Sequence, residues 1–379
     1  MRPGEVPGAA PADAIPREVW LWLANALGPA APNAAGVLDL FPDPRDLLRA
    51  RFSQDLSALV TPGQLQALQQ TNPARFAPVL ARCRDMGVVP VCWDEAAYPE
   101  LLRQIPSPPP VLFCRGDTAL LNAPFTFAMV GTRRPSAYGV EATAKIARCL
   151  AETGAVLVSG MADGLDGESH KAALQAGAPT IACIAFGHDC CYPARNRKLK
   201  ELIERHGLTV SEYPPGTQPQ RNYFLQRNRL IAGLSRGVCV AEARRQSGTM
   251  NTVAQALDFG RDVFSVPGNI FSPLCEGTNR LLVEGAVPAT CGEDILAHYG
   301  LQPPGTEDAD AGQEEHAPPA VPLTEDARIL RGALTFQPQG LDGLCAATGL
   351  PPGRAMAALT NLELAGISAQ VPGRQFLLK

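Results

Sequence analysis

The sequence has little charge and no hydrophobic run long enough to cross a membrane. Charged residues make up 18% of its 379 positions and hydrophobic residues 46%, which argues against wholesale disorder and allows a large core. Glycine, proline or charge interrupts every apolar stretch before the roughly 18 residues that a spanning helix needs. One early arginine without an apolar stretch behind it does not predict a signal peptide. We therefore expect a cytoplasmic protein of roughly two to three domains.

Motifs for metals, nucleotides and covalent catalysis are also missing. The 11 cysteines form no CxxC pair, and the adjacent Cys190 and Cys191 have no second pair or histidine set near them. We interpret the cysteines as buried, reduced thiols rather than a zinc site. The chain has no GxGxxG, no GxxxxGK[ST] and no nucleophile–base pair. Binding is therefore favoured over catalysis, and we expect no enzyme activity, no metal and no cofactor.

Apolar strands that alternate with helix-length segments dominate the middle of the chain. The strands are FTFAMV, AVLVSG, TIACIAF, LTVSEY, GVCVAEA and DVFSVP. They predict an α/β fold, a Rossmann-like parallel sheet with helices on both faces. Short helical patterns precede it, and three helix candidates with a two-stranded turn follow it, the order of a winged helix. The predicted domains are a small helical domain at 16–97, a Rossmann-like domain at 98–299, an acidic, proline-rich linker at 300–322 and a winged helix at 323–379.

Charge is unevenly distributed along the chain. The whole sequence has a formal charge of −4, which by itself argues against nucleic-acid binding. Between His188 and Arg245, however, there are eleven lysines and arginines and only five acids. Such segregation is typical of a local anion-binding face, although a solvated basic surface has the same pattern.

The loop VGTRRPSAYG follows the first strand of the alternation. Gly131 allows a tight turn that exposes backbone N–H groups near a helix N-terminus, which suits an anion. Arg133 and Arg134 add charge and the paired donors that match a phosphate. An ordinary tight turn is the alternative, and the missing GxGxxG argues against a dinucleotide.

Carboxylates follow the second strand, in VSGMADGLDGESHKAAL. Asp163, Asp166, Glu168 and His170 could act as metal ligands or as an acid–base pair. Capping of the next helix by Asp166 or Ser169 is the favoured interpretation, because no second cluster supplies further ligands.

Two later loops combine cations with aromatic rings. ARNRKL and QRNRLI both place arginine and asparagine at the start of a predicted helix, and Tyr192, Tyr223 and Phe224 lie just upstream. Cations can hold phosphates while ring faces stack on bases, and a duplex hides its base faces. The mixture therefore indicates unpaired nucleic acid, although Tyr223 and Phe224 are also candidates for the core.

A further loop, RRQSGTMNT, places Ser247, Gly248 and Thr249 at another helix N-terminus, which again suits an anion. All these loops follow the carboxyl ends of strands, where open α/β sheets bind their ligands. Together they predict a groove longer than a single nucleotide needs.

These motifs, in this order, resemble the DNA-processing protein A (DprA/Smf) family from about Tyr98 to Ala289. The match runs through YPELLRQIPSPPPVLFCRG, VGTRRPSAYG, LVSGMADGLDGESHKAAL, YPARNRKL, FLQRNRLIAGLS, SGTMNT and FSVPGNIFSPLCEGTNRLLVEGA. The resemblance implies a homodimeric recombination mediator that binds single-stranded DNA during natural transformation and helps to load RecA recombinase. It also implies that the helical domain at 16–97 is SAM-like.

The family's DNA-binding positions carry over to this chain one by one. Joined by Arg134, they predict a DNA-binding site made of Gly131, Thr132, Arg133, Arg134, Ser159, Gly160, Arg195, Asn196, Phe224, Arg227, Asn228, Arg229, Ser247, Gly248 and Thr249. One departure concerns Leu225 and Gln226, which stand where many members have a proline and then a basic or polar residue. A cation is therefore missing near Gln226, and Arg221 or Arg227 could take its place.

Two other functions stay open on the sequence. A nucleotide-binding or nucleotide-cleaving Rossmann-like enzyme or sensor would hold one nucleotide at SGTMNT and GTRR, with Glu242 or Asp163 acting in glycosidic cleavage. A closed pocket around a carboxylate would favour it. A duplex-binding transcription regulator rests only on the C-terminal domain. There the recognition segment has Arg354 as its only cation, so a protein-contact or regulatory role is preferred to double-stranded DNA.

Overall fold

The computed structural model describes residues 14–302, 323–335, 338–365, 367–371 and 375–378. All but the first three residues of the predicted linker at 300–322 lie outside these ranges. The chain divides into two compact units, Met1–Glu307 and Asp308–Lys379, and each is described by itself. The boundary between the helical and Rossmann-like domains stays a prediction.

The first unit begins with short helices. They are α1 (Arg17–Leu27), α2 (Ala34–Leu40), α3 (Pro44–Ala50), α4 (Pro62–Gln70) and α5 (Ala77–Asp85). Trp20 and Trp22 of α1 are fully buried among them, and α4 begins with a capping box between Thr61 and Gln64. Helices therefore form where the sequence predicted them, and their SAM-like character stays a prediction.

A nine-stranded sheet follows, with the order β1-β2-β6-β5-β4-β3-β7-β8-β9. Its strands are β1 (Val89–Cys92), β2 (Val111–Gly116), β3 (Thr126–Val130), β4 (Val156–Ser159), β5 (Thr180–Ile184), β6 (Leu208–Ser211), β7 (Gly237–Val240), β8 (Asp262–Ser265) and β9 (Val287–Pro288). The pairs from β6 to β9 are parallel, whereas β2 pairs antiparallel with both β1 and β6. The predicted Rossmann-like parallel sheet is confirmed, and β2 and β1 extend it on one side through antiparallel pairs.

Helices cover both faces of the sheet, as its side chains require. They are α6 (Glu100–Arg103), α7 (Ala137–Glu152), α8 (Leu165–Gln175), α9 (Arg197–His206), α10 (Arg221–Gly233), α11 (Gly248–Asp258), α12 (Glu276–Val283) and α13 (Gly292–His298). In β3, Phe127 and Met129 belong to the apolar cluster that contains α7, while Ala128 and Val130 belong to the cluster that contains α10 and α11. Successive strand residues point to opposite faces, so an all-apolar strand needs cover on both.

The strand order reverses between β3 and β7. From β3 the chain builds β4, β5 and β6 on one side of the sheet, and then crosses to build β7, β8 and β9 on the other. The loops after β3 and β7 therefore leave the same edge side by side and then diverge. Such a switch point is where open α/β sheets form their ligand crevice.

The second unit consists of α14 (Glu325–Ala333), β10 (Gln339–Gly340), α15 (Leu341–Thr348), α16 (Pro352–Leu364), β11 (Ser368–Val371) and β12 (Gln375–Leu378). β12 pairs antiparallel with β10 and β11. Its core contains Leu330, Leu344, Leu359 and Phe376. The predicted winged helix is confirmed.

Two general expectations can be compared with this architecture. Within the described ranges, no helix is long and apolar enough to cross a membrane. All 11 cysteines are free, but only six of them are buried. The five that are partly exposed, which corrects the expectation of buried thiols, are Cys149, Cys190, Cys191, Cys291 and Cys345.

The burial of Phe127 gives a test of the fold. Its ring is fully buried and contacts Phe125, Phe264 and Tyr299. Phe127→Ala is expected to lower the free energy of unfolding by about 3–5 kcal/mol, because it removes buried apolar surface and leaves a cavity. Urea titration followed by circular dichroism measures the change. The matched control is Phe52→Ala, whose ring is 67% exposed and whose loss should cost no more than about 0.5 kcal/mol.

Candidate nucleic-acid interface

A cavity of about 1130 Å³ lies at the carboxyl edge of the sheet, beside the switch point between β3 and β7. It is larger than the roughly 300–1,000 Å³ of most small-molecule sites. Ten of the fifteen predicted site residues line it, namely Gly131, Thr132, Arg133, Arg134, Phe224, Arg227, Asn228, Ser247, Gly248 and Thr249. Residues spread over 119 positions of sequence therefore meet at one edge of the sheet.

The charge of the lining is strongly positive. Five arginines belong to it, namely Arg133, Arg134, Arg221, Arg227 and Arg244. Asp166 is the one carboxylate among the lining residues. The overall charge of −4 therefore hides a cationic cavity, which is suited to a polyanion.

Arg227 forms the floor of the cavity. The residue is 97% buried, and its guanidinium donates hydrogen bonds to the carbonyl oxygens of Gly160 and Cys183, at the ends of β4 and β5. Burial lowers the pKa of Arg227, and the neighbouring Asp166 carboxylate opposes that effect. Burial also raises the pKa of Asp166, against the effects of Arg227 and of the Ala162 and Gly131 backbone N–H groups. Both side chains are buried in the wall of the cavity, and each affects the pKa of the other.

Glu242 holds the loop between β3 and α7, which contains Gly131 and Ser136. The sequence suggested Glu242 as a catalytic residue for the alternative enzyme. Glu242 is 99% buried, and its carboxylate accepts hydrogen bonds from the Ser136 backbone N–H at 2.9 Å and from the Ser136 hydroxyl at 2.6 Å. Its backbone carbonyl accepts from the Thr132 N–H at 2.8 Å. With these N–H groups occupied, the loop presents the exposed side chains of Arg133 and Arg134, which suit a phosphate.

The N-terminus of α11 presents open backbone groups that suit an anion, whereas the loop between β3 and α7 does not. Its N-cap Ser247 makes no capping hydrogen bond, and the Ser247 hydroxyl has no partner among the described residues. A Cβ added at Gly248 would meet nothing within 4 Å, so the backbone is open to the cavity. Asn228 donates to the Gly248 carbonyl at 3.3 Å, and the Thr249 hydroxyl donates to the Gly131 carbonyl at 3.0 Å. These contacts hold the helix start beside the loop between β3 and α7, in the position that an anion needs.

An aromatic pair forms one end of the cavity. The Tyr192 and Phe224 ring centroids are 5.3 Å apart, and the Arg133 guanidinium carbon lies 5.8 Å from the Phe224 centroid. Tyr192 is 48% exposed, so one face is accessible to a base. Tyr223 instead stacks on Tyr213 at 4.3 Å and packs against the core, as the structural interpretation of that residue predicted.

The remaining five predicted residues do not line the cavity. The Ser159 hydroxyl is buried and donates to the Met129 carbonyl, while the Gly160 carbonyl accepts from Arg227. Asn196 donates to the Met161 carbonyl at 2.9 Å. These three residues shape the ends of the strands beneath the cavity.

The other two form ion pairs. Exposed Arg195 pairs with Asp163, the second carboxylate suggested for the alternative enzyme. Arg229 is 97% buried and pairs with Glu212, whose carboxylate also accepts from the Ala30 N–H at 3.3 Å. Arg229 therefore joins α10 to the end of β6 and to the N-terminal helices.

Helix α8, which follows β4, begins without a side-chain cap. Gly164 is the N-cap of α8, at φ 78°, and neither Asp166 nor Ser169 caps it. Ser169 donates to the Asp166 carbonyl at 2.8 Å, and His170 is buried against Thr180 at 2.7 Å. The favoured capping interpretation is therefore wrong, since Asp166 turns towards Arg227 instead.

Several lining residues were absent from the predicted site. They are Ala162, Asp166, Tyr192, Pro219, Gln220, Arg221, Leu225, Arg244, Ser272, Pro273 and Leu274, besides the core residues Val130, Ile231 and Thr252. Arg244 stands just before SGTMNT, and Ser272 follows β8, so the rule that ligands meet carboxyl strand ends could have found both. Gln226 accepts from the Tyr213 hydroxyl at 3.0 Å, while Arg221 and Arg227 supply cations near the position of the missing one.

The fold and the site together define a class: Rossmann-like proteins with a cationic, aromatic-bearing cavity at the switch point and a winged helix later in the chain. Two family profiles match this chain. One, described as DNA recombination-mediator protein A, covers residues 90–300, and the other, described as the DprA winged helix domain, covers residues 314–374. The chain belongs to the DNA-processing protein A (DprA/Smf) family.

Individual relatives agree with this assignment. Protein Smf of Synechocystis is 35% identical over 344 residues, which are 82% of each chain. The X-ray structure of DNA processing protein A from Streptococcus pneumoniae superposes with a TM-score of 0.65 at 35% identity, covering 74% of this chain and 97% of that one. A structure that describes the single-stranded DNA binding mode of DNA processing protein A from Helicobacter pylori has a TM-score of 0.51 at 33% identity, covering 55% and 95%.

The burial of Arg229 predicts that this residue contributes to the stability of the fold, whereas the exposed Arg133 does not. Arg229→Ala is expected to lower the free energy of unfolding by about 3–5 kcal/mol, because it leaves the buried Glu212 carboxylate without its cation. The double variant Arg229→Met/Glu212→Gln should recover most of that loss. Arg133→Ala, on an exposed side chain, should change stability by no more than about 0.5 kcal/mol. Equal unfolding midpoints for Arg229→Ala and wild type in urea would contradict the assignment.

Proposed function

We propose that this chain binds single-stranded DNA in the cytoplasm through the cavity at the switch point. The observation that carries the proposal is the lining itself, in which five arginines accompany the exposed Tyr192 and the half-buried Phe224. Arginines neutralise phosphates and exposed rings stack on unpaired bases. The relative from Helicobacter pylori, described by its single-stranded DNA binding mode, supports the same ligand. Of the fifteen carried-over residues, we propose direct DNA contact for the ten that line the cavity.

We further propose that the protein helps to load RecA recombinase onto that strand during natural transformation and homologous recombination, acting as a homodimer and not as an enzyme. The family profile described as a recombination mediator supports the role. A mediator must leave its DNA chemically unchanged and hand it on, which salt-sensitive phosphate contacts permit.

The observations favour this function over the alternative of a nucleotide-cleaving enzyme or sensor. Glu242 is occupied by Ser136, and Asp163 is paired with Arg195. Neither belongs to the lining of the cavity. The lining carboxylate, Asp166, is buried close to the Arg227 cation, and the cavity is larger than most small-molecule sites.

For the winged helix we propose a protein-contact or regulatory role. In a winged helix that reads duplex DNA, the recognition helix presents several cations or amides to the major groove. In α16 the one cation is Arg354, and Asp326 holds its guanidinium at 2.6 and 2.8 Å. The exposed positions beside it include Met356, Ala357 and Thr360. Titration with duplex DNA tests this proposal.

Binding of a fluorescein-labelled dT15 measured by fluorescence anisotropy tests the main proposal. Arg133→Ala is expected to weaken binding about tenfold, because charged hydrogen bonds contribute about 1.5–3 kcal/mol each. It should also reduce the slope of log affinity against log salt by about 0.7. The matched control is Arg148→Ala, an exposed arginine of α7 outside the cavity.

A matched 15-base-pair duplex and thymidine monophosphate are titrated alongside. Weaker binding of the duplex than of dT15 is expected, with or without Arg354→Ala. Tight binding of the mononucleotide with none of dT15 would move the assignment to the nucleotide enzyme. Tight duplex binding that Arg354→Ala abolishes would overturn the role proposed for the winged helix.

The RecA step has its own test. The full chain is expected to speed assembly of RecA on dT-rich strands coated with single-strand binding protein, and Arg133→Ala should slow this in proportion to its loss of affinity. Analytical ultracentrifugation should give twice the chain mass of 40.1 kDa. Assembly rates that do not depend on the protein would refute loading, and a monomer mass at micromolar concentration would refute the dimer.

A further inference from the structure

The loop between β8 and α12 holds two large apolar side chains out in solvent. Ile270 is 78% exposed and Phe271 is 86% exposed, the most exposed of the large apolar side chains that the structure describes. The next three residues of the loop, Ser272, Pro273 and Leu274, line the cavity. Phe271 therefore lies at the rim of the same cavity, directly next to its wall.

Hydrogen bonds hold this loop in place, so Phe271 is exposed on a loop with defined contacts. Asn279 of α12 exchanges two hydrogen bonds with the backbone of Gly268, each of 3.0 Å. The Asn269 side chain accepts from the Phe271 N–H at 2.9 Å, and the Tyr138 hydroxyl donates to the Pro267 carbonyl at 2.7 Å. An aromatic ring on a braced loop is preorganised for contact and loses little entropy on binding.

Two exposed cations lie on the neighbouring loop, between β7 and α11. Arg244 and Arg245 are exposed and follow β7, the strand next to β8. The Gly277 N–H donates to the Ala243 carbonyl at 2.9 Å, which joins the start of α12 to the residue before Arg244. Among the residues that the structure describes, neither guanidinium makes an ion pair or a hydrogen bond. Arg244 also lines the cavity.

We propose that Phe271, together with Arg244 and Arg245, forms a second contact for a single strand of DNA, in which Phe271 stacks on a base and the arginines hold the adjacent phosphates. The inference rests on the proposed function and extends it beyond the residues carried over from the family. An exposed ring beside unpaired cations matches the combination at the Tyr192 and Phe224 end of the cavity. Continuity with that cavity favours nucleic acid over a protein partner.

The order of the strands sets the distance between the two ends. Tyr192 follows β5 and Phe271 follows β8, and β4, β3 and β7 lie between these strands. At about 4.8 Å between neighbouring strands, the two ends are separated by about 19 Å along the sheet. A strand with one nucleotide every 3.4 Å or more crosses that distance in at most about six nucleotides. A 15-mer therefore reaches both contacts.

The test compares dT15 with a 15-residue strand whose sites are all abasic, because the second keeps the phosphates and lacks bases. Phe271→Ala in the full chain is expected to weaken dT15 binding about tenfold and to leave the abasic strand unchanged. Arg244→Ala and Arg245→Ala should weaken both strands and lower the salt slope by about 0.7 each. Phe271→Trp should retain affinity, with its indole emission quenched by dT15 but not by the abasic strand.

Ile270→Ala is the matched control, since its side chain is also largely exposed but has no ring to stack. It should bind dT15 as wild type does. Wild-type affinity of Phe271→Ala for dT15, alongside weakened Arg133→Ala, would overturn this inference and leave the proposed function standing. Failure of the wild type to bind dT15 would overturn both. A lower mass in solution for both Phe271→Ala and Ile270→Ala, with unchanged DNA affinity, would make the loop a protein contact and also overturn the inference.

Discussion

The buried guanidinium of Arg227 joins two neighbouring strands at the point where the sheet opens for its ligand. It donates to the carbonyls that end β4 and β5, and the Asp166 carboxylate lies beside it. A buried cation is tolerated only when such partners offset its lost hydration. Phe224 and Asn228 lie on the same helix, α10, so the position of Arg227 also sets where these residues meet the cavity.

The polar groups around this floor divide into those that hold the site and those left for a ligand. Glu242 accepts from the Thr132 and Ser136 N–H groups of the loop after β3, while Asn228 and Thr249 fix the start of α11 against that loop. Among the described residues, the exposed groups at the cavity include the guanidinium groups of Arg133, Arg134 and Arg244 and the N-terminus of α11. Such a set neutralises phosphates without selecting bases, which suits a protein that handles strands of any sequence.

The N-terminal helices take part in this arrangement through two links. Glu212 binds both Arg229 and the Ala30 N–H, and Asp189 accepts from Arg82 at 3.0 Å and from the Gly216 N–H at 2.7 Å. Both links end on the loops that follow β5 and β6. The helical segment therefore supports the loops beside the cavity from outside. Loss of either ion pair is expected to change the position of these loops.

The pattern of residues along the chain was enough to predict the sheet and the winged helix, and ten of the fifteen residues carried over from the family line the cavity. Strand alternation and the glycine and arginine loops are local signals, and parallel strands must bring their carboxyl ends to one edge. Arg227 and Arg229 show where that reasoning ends. Residues two apart on a helix point to nearly opposite sides, so one faces the cavity floor and the other faces Glu212.

Partners distant in sequence decide which cations face the cavity and which form buried ion pairs within the fold. Glu212 stands 17 positions before Arg229, and Glu242 stands 106 positions after Ser136. Loop composition does not reveal such pairings, because a buried carboxylate and a catalytic one look the same in sequence. The sequence by itself therefore determined the fold and the edge of the sheet where the cavity lies. The tertiary structure decided which of the charged residues there are free, because only three-dimensional packing determines which charges lose their water and must be paired.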